Sequence, residues 1–388
     1  MKNAHKRLGL GASLALVAAS LLAIATTHQA TAASLPNACG SQIQAKARAQ
    51  GFSGVVQAVG NCPNKNAAAI RTSDTANGTP PLLFHGGPVM DTKSTGPLVV
   101  TPIFWSPPGH PMSASYKLLL TAYLGDVALA SGQNSNVYSV ANEYYGINGQ
   151  IRYQIRLGLP ILDRHPLPAD GCQVASTDTS GIYADNSGYN ACLDDAQVQA
   201  ETDRATAARG LPHNLSHIYV IYLPKHVESC FYPGSTTTSA NVCTINYQPS
   251  AAYCAYHNDA TSNAIYANMP YPVYLSKTKF TCGTDANFPG VIESPNGNPD
   301  ADTEISPTSH EITESTTDPD TVTGWYDSSG FENGDECAYI FGQTQGSAGH
   351  LYNQNINGLH FLTQEEFSNR DFAITGGGCV QSASAEAR

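Results

Sequence analysis

Ser306-Pro307-Thr308-Ser309-His310-Glu311-Ile312-Thr313-Glu314-Ser315-Thr316-Thr317-Asp318-Pro319-Asp320 is the stretch that organises everything else in this chain. Ser306 suits a helix N-cap and Pro307 the first helical position. Pro319 disfavours helix at Asp318, so the spacing predicts a helix of about three turns ending near Thr317. On it His310 and Glu314 stand four apart and share a face, with Glu311 beside them. In the HExxH arrangement two ligands at that spacing hold a metal ion while the intervening Glu handles a water proton. Here Glu314 replaces the second histidine, giving HExxE. A carboxylate is a competent zinc ligand. Its charge also opens the site to harder ions, Mn²⁺ or Ca²⁺. The alternative is a solvated helix face with three polar side chains. A helix this short and this poor in apolar residues is a weak packing element, which favours a site.

A third ligand has two sources. Asp320 lies ten residues after His310, where the metzincin pattern places its last ligand, although Thr317 stands where that pattern has glycine. Glu332, in Phe331-Glu332-Asn333-Gly334-Asp335-Glu336-Cys337, lies 18 residues beyond Glu314, a separation similar to that in gluzincins. Glu332 is preferred, with Asp320 next. Asp335 would then orient His310 from outside the ligand set. His257 is a weaker candidate for a similar supporting role, since a histidine satisfied elsewhere is the commoner case. Asp300, Asp302 and Glu304 lack the ordered spacing of an EF-hand loop. No GxSxG is present, so a nucleophile-elbow hydrolase lacks its signature.

The N-terminus reads as an export signal. Lys2, Lys6 and Arg7 precede an apolar run from Leu8 to Ala25, and Ala30-Thr31-Ala32 supplies small residues for cleavage, so residues 1–32 are expected to be removed. No later stretch approaches the roughly 20 apolar residues that cross a bilayer. All ten cysteines follow Ala32. An even count in an exported chain predicts disulfides, with the neighbours Cys39–Cys62 and Cys172–Cys192 as the simplest pairs. The absence of CxxC argues against a zinc ribbon or thioredoxin-type site. The net charge is −12 and falls further without the three basic residues of the signal. Such a surface repels phosphate backbones, so nucleic acid is not an expected partner.

Residues 33–80 read as an irregular segment, a candidate propeptide, ahead of one elaborated domain over 81–388. Leu98–Trp105 is a near-continuous apolar run, as expected of a strand buried on both faces. Arg152–Leu157, Ile218–Leu223 and Ala264–Met269 read as further strands. Tyr116–Ala130, Val137–Tyr145 and Asp194–Arg209 read as helices, and Ser294–Glu304 as a polar loop. Strands alternating with helices predict an α/β (α+β) fold around a mixed sheet.

Scattered motifs over roughly residues 82–380 resemble the EXORDIUM-like, phosphate-induced protein 1 family. They are His85-Gly86-Gly87-Pro88-Val89-Met90 before the strand ending in Trp105, Cys254 with His257, Ser294-Pro295-Asn296-Gly297, Thr317-Asp318-Pro319, and Tyr352-Asn353-Gln354-Asn355-Ile356-Asn357-Gly358. The plant members are extracellular or wall-associated, linked to growth control, and have no firmly assigned chemistry. Their equivalent helix lacks HExxE. The present chain is similar instead to bacterial and fungal relatives with SHEITE-like segments and a downstream GxExxDxC, matched here by Gly330, Glu332, Asp335 and Cys337. A growth-signalling role therefore does not carry over. The resemblance implies a zincin-like scaffold that keeps its metal site.

The expected function is a secreted, extracellular or periplasmic, zinc-dependent hydrolase acting on a peptide or cell-wall substrate. His310 and Glu314 with Glu332 or Asp320 would be ligands and Glu311 the general base. The alternatives are a wall-associated binding protein without turnover, and an acidic cluster serving as a structural calcium site.

Overall fold

The computed structural model describes residues 53–57, 81–172, 189–230, 243–244, 253–272, 274–276, 279–280 and 291–383, all within the unit Ser34–Arg388. The expected signal peptide, the Cys39–Cys62 pair and most of the 33–80 segment lie outside the described residues.

A mixed, seven-stranded sheet forms the centre. Its strands are β1 (Ser53–Gln57), β2 (Leu98–Trp105), β3 (Ile155–Leu157), β4 (Ile161–Asp163), β5 (His217–Tyr222), β6 (Tyr253–Asp259) and β7 (Ile265–Met269). The order is β1-β6-β7-β5-β2-β3, with β4 also on β2. β7, β5, β2, β3 and β4 run parallel, while β6 runs antiparallel to both of its neighbours, β7 and the edge strand β1. Pro102 lies inside the central strand β2, where a missing N–H should break the ladder. The break is accommodated because β3 pairs with Leu98–Val100 and β4 with Ile103–Trp105, leaving Thr101 and Pro102 opposite the gap between them.

Period-two alternation sends Leu98, Val100, Phe104, Ile218, Val220 and Tyr222 to one face of the sheet. There they meet helix α1 (Ala114–Leu129) through Tyr116, Leu120, Tyr123, Leu124 and Val127, a period of three to four residues. Ile103, Trp105, Tyr219 and Ile221 go to the other face against helix α2 (Asp195–Ala207). Helix α2 begins in a capping box, with Asp194 and Gln197 each accepting from the other's backbone. The 137–145 segment is a 3-10 helix over Val137–Glu143, because the Asn136 side chain bonds Tyr138 N at 3.1 Å and holds the turn tight.

The helix that carries the HExxE residues, α3 (Pro299–Thr317), ends where Pro319 requires but starts a full seven residues before Ser306. Asn298 is its N-cap, Pro299 fills the first turn, and Asp300 and Asp302 sit where the helix dipole favours negative charge. The polar run expected to be a loop up to Glu304 is therefore partly helix, and Pro307 is interior. Ser306 does not cap; its hydroxyl accepts from Gln364 N at 3.0 Å. Residues Ala301 to Thr317 are all buried. So polar a helix can be buried because its threonines return their hydroxyls to the preceding turn: Thr313 to Ser309 O at 2.9 Å and Thr316 to Ile312 O at 2.6 Å. Ile305 and Ile312 join the core beneath α1.

Disulfides join Cys172–Cys192, as expected, Cys230–Cys243 and Cys337–Cys379. Cys254 is disulfide-bonded as well. Among the described residues no helix is long and apolar enough to cross a membrane.

Candidate metal centre

Three elements meet over α3. β6 supplies His257, the loop ending in the 3-10 turn Asp335–Cys337 supplies Glu332 and Asp335, and residues just before Phe367 supply Gln364 and Glu366. The loop is shaped by Asp327, whose carboxylate accepts from Ser329 N at 2.7 Å and Phe331 N at 2.8 Å, and its end is tied down by Cys337–Cys379. His257, His310, Glu311, Glu314, Glu332 and Glu366 are all fully buried, and Asp335 nearly so.

His310 Nε2 lies 2.9 Å from Glu314 Oε1 and 3.6 Å from Asp335 Oδ1. Ligands about 2.1 Å from a tetrahedral ion stand about 3.4 Å from one another, so these three groups have the right spacing to share one. The Asp335 backbone N–H donates to Glu314 Oε1 at 2.9 Å and fixes that carboxylate. A second group overlaps the first at Glu314: His257 Nδ1 is 3.1 Å from Glu311 Oε2 and 3.9 Å from Glu314 Oε2. Within each group the potential ligand atoms all lie within 4.8 Å of one another. Glu311 Oε1 and Glu314 Oε2 are buried polar atoms with no hydrogen-bond partner among the described residues. Leaving such atoms unsatisfied costs about 1–3 kcal/mol each, more when charged. A divalent cation coordinated by imidazole and carboxylates answers that need, and the donor set fits zinc or a harder ion.

The sequence candidates separate in space. His310 and Glu314 face each other, while Glu311 lies in the second group with His257, which shares only Glu314 with the first. Asp335 joins His310 and Glu314 directly, closer to the ligand set than an orienting role requires. Glu332 stands on the far side, its Oε2 3.8 Å from His257 Nε2, and its N–H donates to Asp335 Oδ2 at 3.2 Å. Asp320 is not brought into either group. Its carboxylate accepts from Thr323 N at 2.9 Å and Thr323 Oγ1 at 2.6 Å, closing its own turn. Asp302 likewise organises a loop, accepting from Ser294 Oγ at 2.5 Å and Asn296 Nδ2 at 2.7 Å.

His257 does more than the sequence suggested. Because Pro319 stops the helix, the Asp318 carbonyl turns outward and lies 3.1 Å from His257 Nε2. A carbonyl only accepts, so Nε2 carries a proton and Nδ1 faces the Glu311 carboxyl. A proton must lie between Nδ1 and Glu311 at that separation. Burial, and then the charge of Glu314, push the Glu311 carboxyl well above its ordinary range. Burial acts on Glu314 in the same direction, but the His310 imidazole overrides it and holds Glu314 below its usual value. Burial would depress His310, yet Glu314, helped by Asp335, lifts it to about 9. Glu366 is pushed well up, chiefly by burial.

Gln364 and Glu366 carried no signal in the sequence. Gln364 Nε2 donates to Gly334 O at 2.7 Å and lies 2.8 Å from His310 Nδ1, holding the far edge of the ring. Gly334 matters for a steric reason. A Cβ there would come within 2.8 Å of His310 Cγ and Nδ1 and 2.9 Å of Glu314 Oε1, closer than real contacts allow. Gly334→Ala should lower stability by about 1–3 kcal/mol and weaken ion binding roughly 10- to 100-fold. Thermal melts and metal titration read both, and an alanine variant equal to the parent in each would remove this steric account.

Comparison of the chain with protein-family models, with curated proteins and with solved structures finds no match.

Proposed function

We propose that this protein is a secreted metal-dependent hydrolase, zinc being the first candidate ion, that acts on peptide bonds. The observation that carries the reading is a pair of buried groups that share Glu314, one with His310 and Asp335 and the other with His257 and Glu311, in which Glu311 Oε1 and Glu314 Oε2 have no hydrogen-bond partner among the described residues. His310, Glu314 and Asp335 would hold the ion. When bound, such an ion polarises a carbonyl and makes a water nucleophilic at neutral pH. Glu311 would serve as the base that accepts a proton, with His257 positioning its carboxyl and sharing that proton. Gln364 keeps the His310 ring in place, and the Asp335 N–H keeps Glu314 in place. The antiparallel strand β6 beside the motif helix agrees with a zincin-like scaffold. The disulfides and the N-terminal signal pattern support export, and the sequence motifs support an EXORDIUM-like relationship.

A second reading, a wall-associated binding protein with a structural ion, draws support from the complete burial of the same side chains. Elemental analysis of the purified protein beside His310→Ala tests the shared part of both. One ion per chain, lost in the variant, is expected. Purified protein with no stoichiometric divalent metal, even after incubation with zinc, manganese and calcium, would end both readings.

A further inference from the structure

The two carboxylate oxygens of Glu314 face different imidazoles. Oε1 lies 2.9 Å from His310 Nε2 and accepts from the Asp335 N–H. Oε2 lies 3.9 Å from His257 Nδ1 and has no hydrogen-bond partner among the described residues. Glu311 reaches the same imidazole nitrogen with its Oε2 at 3.1 Å, and its Oε1 is buried and likewise without a partner among them. The two separations from Nδ1 bracket the roughly 3.4 Å expected between ligands of one ion. The Asp318 carbonyl, 3.1 Å from Nε2, takes the ring proton on that side and leaves the Nδ1 lone pair toward the carboxylates. An acceptor at the far nitrogen is the usual means by which a metal-ligating histidine is oriented.

The geometry points to a second divalent-cation site, held by His257 Nδ1, Glu311 and Glu314 Oε2, with Glu314 bridging it to the ion of the His310 group. The bridge rests on the metal reading of that first group; the second set of ligands stands on its own distances. Charge carries the argument further. Glu311, Glu314, Glu332 and Glu366 are completely buried and Asp335 nearly so, against the two imidazoles of His257 and His310. One dication balances two of these five carboxylates, whereas two dications leave a single charge over. An uncompensated buried charge is costly, so the second ion has a place to fill. One imidazole and two carboxylates suit Mn²⁺ as well as zinc, and paired ions of this kind stand about 3.5–4 Å apart. The second ion is the weaker of the two, because Glu314 already gives one oxygen to the first and the like charges repel. It therefore leaves on dialysis, and one ion per chain remains. While it is bound Glu311 is a ligand, so base work by Glu311 belongs to the one-ion state.

The test titrates Mn²⁺ into the dialysed, zinc-loaded protein and reads free Mn²⁺ from its electron paramagnetic resonance signal. One Mn²⁺ per chain should bind with the zinc content unchanged. His257→Ala and Glu311→Gln should keep the zinc and bind Mn²⁺ at least tenfold more weakly, while Asp320→Asn, outside both groups, should bind it as the parent does. Glu311→Gln changes neither size nor fold, so the comparison holds even if His257→Ala misfolds. In protein stripped of zinc and given Mn²⁺ alone, two ions per chain should bind and their signals should show spin coupling, as ions sharing Glu314 must. A parent that keeps its zinc but takes up no Mn²⁺, or equal Mn²⁺ affinity in the parent and Glu311→Gln, would overturn the second site and leave the hydrolase standing. Two ions without coupling would remove the Glu314 bridge. A parent that holds neither metal ends the hydrolase reading and this one together.

Discussion

Glu311→Gln should reduce peptide hydrolysis by about two to four orders of magnitude, the usual contribution of a positioned general base, while the protein keeps its ion. Glutamine matches glutamate in size, and its amide N–H can donate to His257 Nδ1, which lies 3.1 Å from the Glu311 carboxyl. The fold should therefore tolerate the change. What is lost is the ability to accept a proton, since an amide oxygen is a far weaker base than a carboxylate. His310, Glu314 and Asp335 are untouched, so metal content should equal that of the parent. Steady-state kinetics and elemental analysis of the same preparation separate the two effects. A variant with undiminished turnover would exclude Glu311 as the base. A variant that loses both activity and metal would move Glu311 into the ligand set with His257 and Glu314, the second group that the geometry allows.

Removing the ion should cost stability on a comparable scale. An ion present at a thousand times its dissociation constant stabilises the folded state by about 4 kcal/mol, which for a domain of this size lowers the melting temperature by roughly 10 °C when it is withdrawn. The physical source is local: without a cation, Glu311 Oε1 and Glu314 Oε2 remain buried and unsatisfied. Scanning calorimetry with and without chelator, followed by addition of zinc, manganese or calcium singly, measures the effect. Restoration by zinc favours the hydrolase, and restoration by calcium alone favours a structural ion. A melting temperature indifferent to chelator would mean that protons alone satisfy these groups.

How much of the site was legible follows from the reach of local rules. His310 and Glu314 could be paired from spacing because a helix brings residues four apart onto one face, and the end of α3 could be read because Pro319 acts on its immediate neighbour. The start of α3 could not. Ser306-Pro307 and Asn298-Pro299 both satisfy the rules for a helix N-terminus, and only the burial of Ala301 and Ile305 beneath α1 selects the earlier one. Strand β6 was equally hidden. Its sequence, Tyr-Cys-Ala-Tyr-His-Asn-Asp, is buried on both faces except at Asp259, so no alternation of polar and apolar residues marks it.

The sequence by itself determined an HExxE pair on a helix stopped by proline, a central buried strand at Leu98–Trp105, and ten cysteines behind an export-like N-terminus. Only the tertiary structure decided who stands beside that pair. His257 lies 54 residues from Glu311, Asp335 lies 21 from Glu314 and Gln364 lies 54 from His310. Asp320, the nearer acid, is turned away by its own hydrogen bonds to Thr323. Spacing along a chain fixes neighbours over a helical turn. Beyond that distance, the packing of sheet, helix and disulfide-tied loop chooses which of several equivalent carboxylates reaches the site.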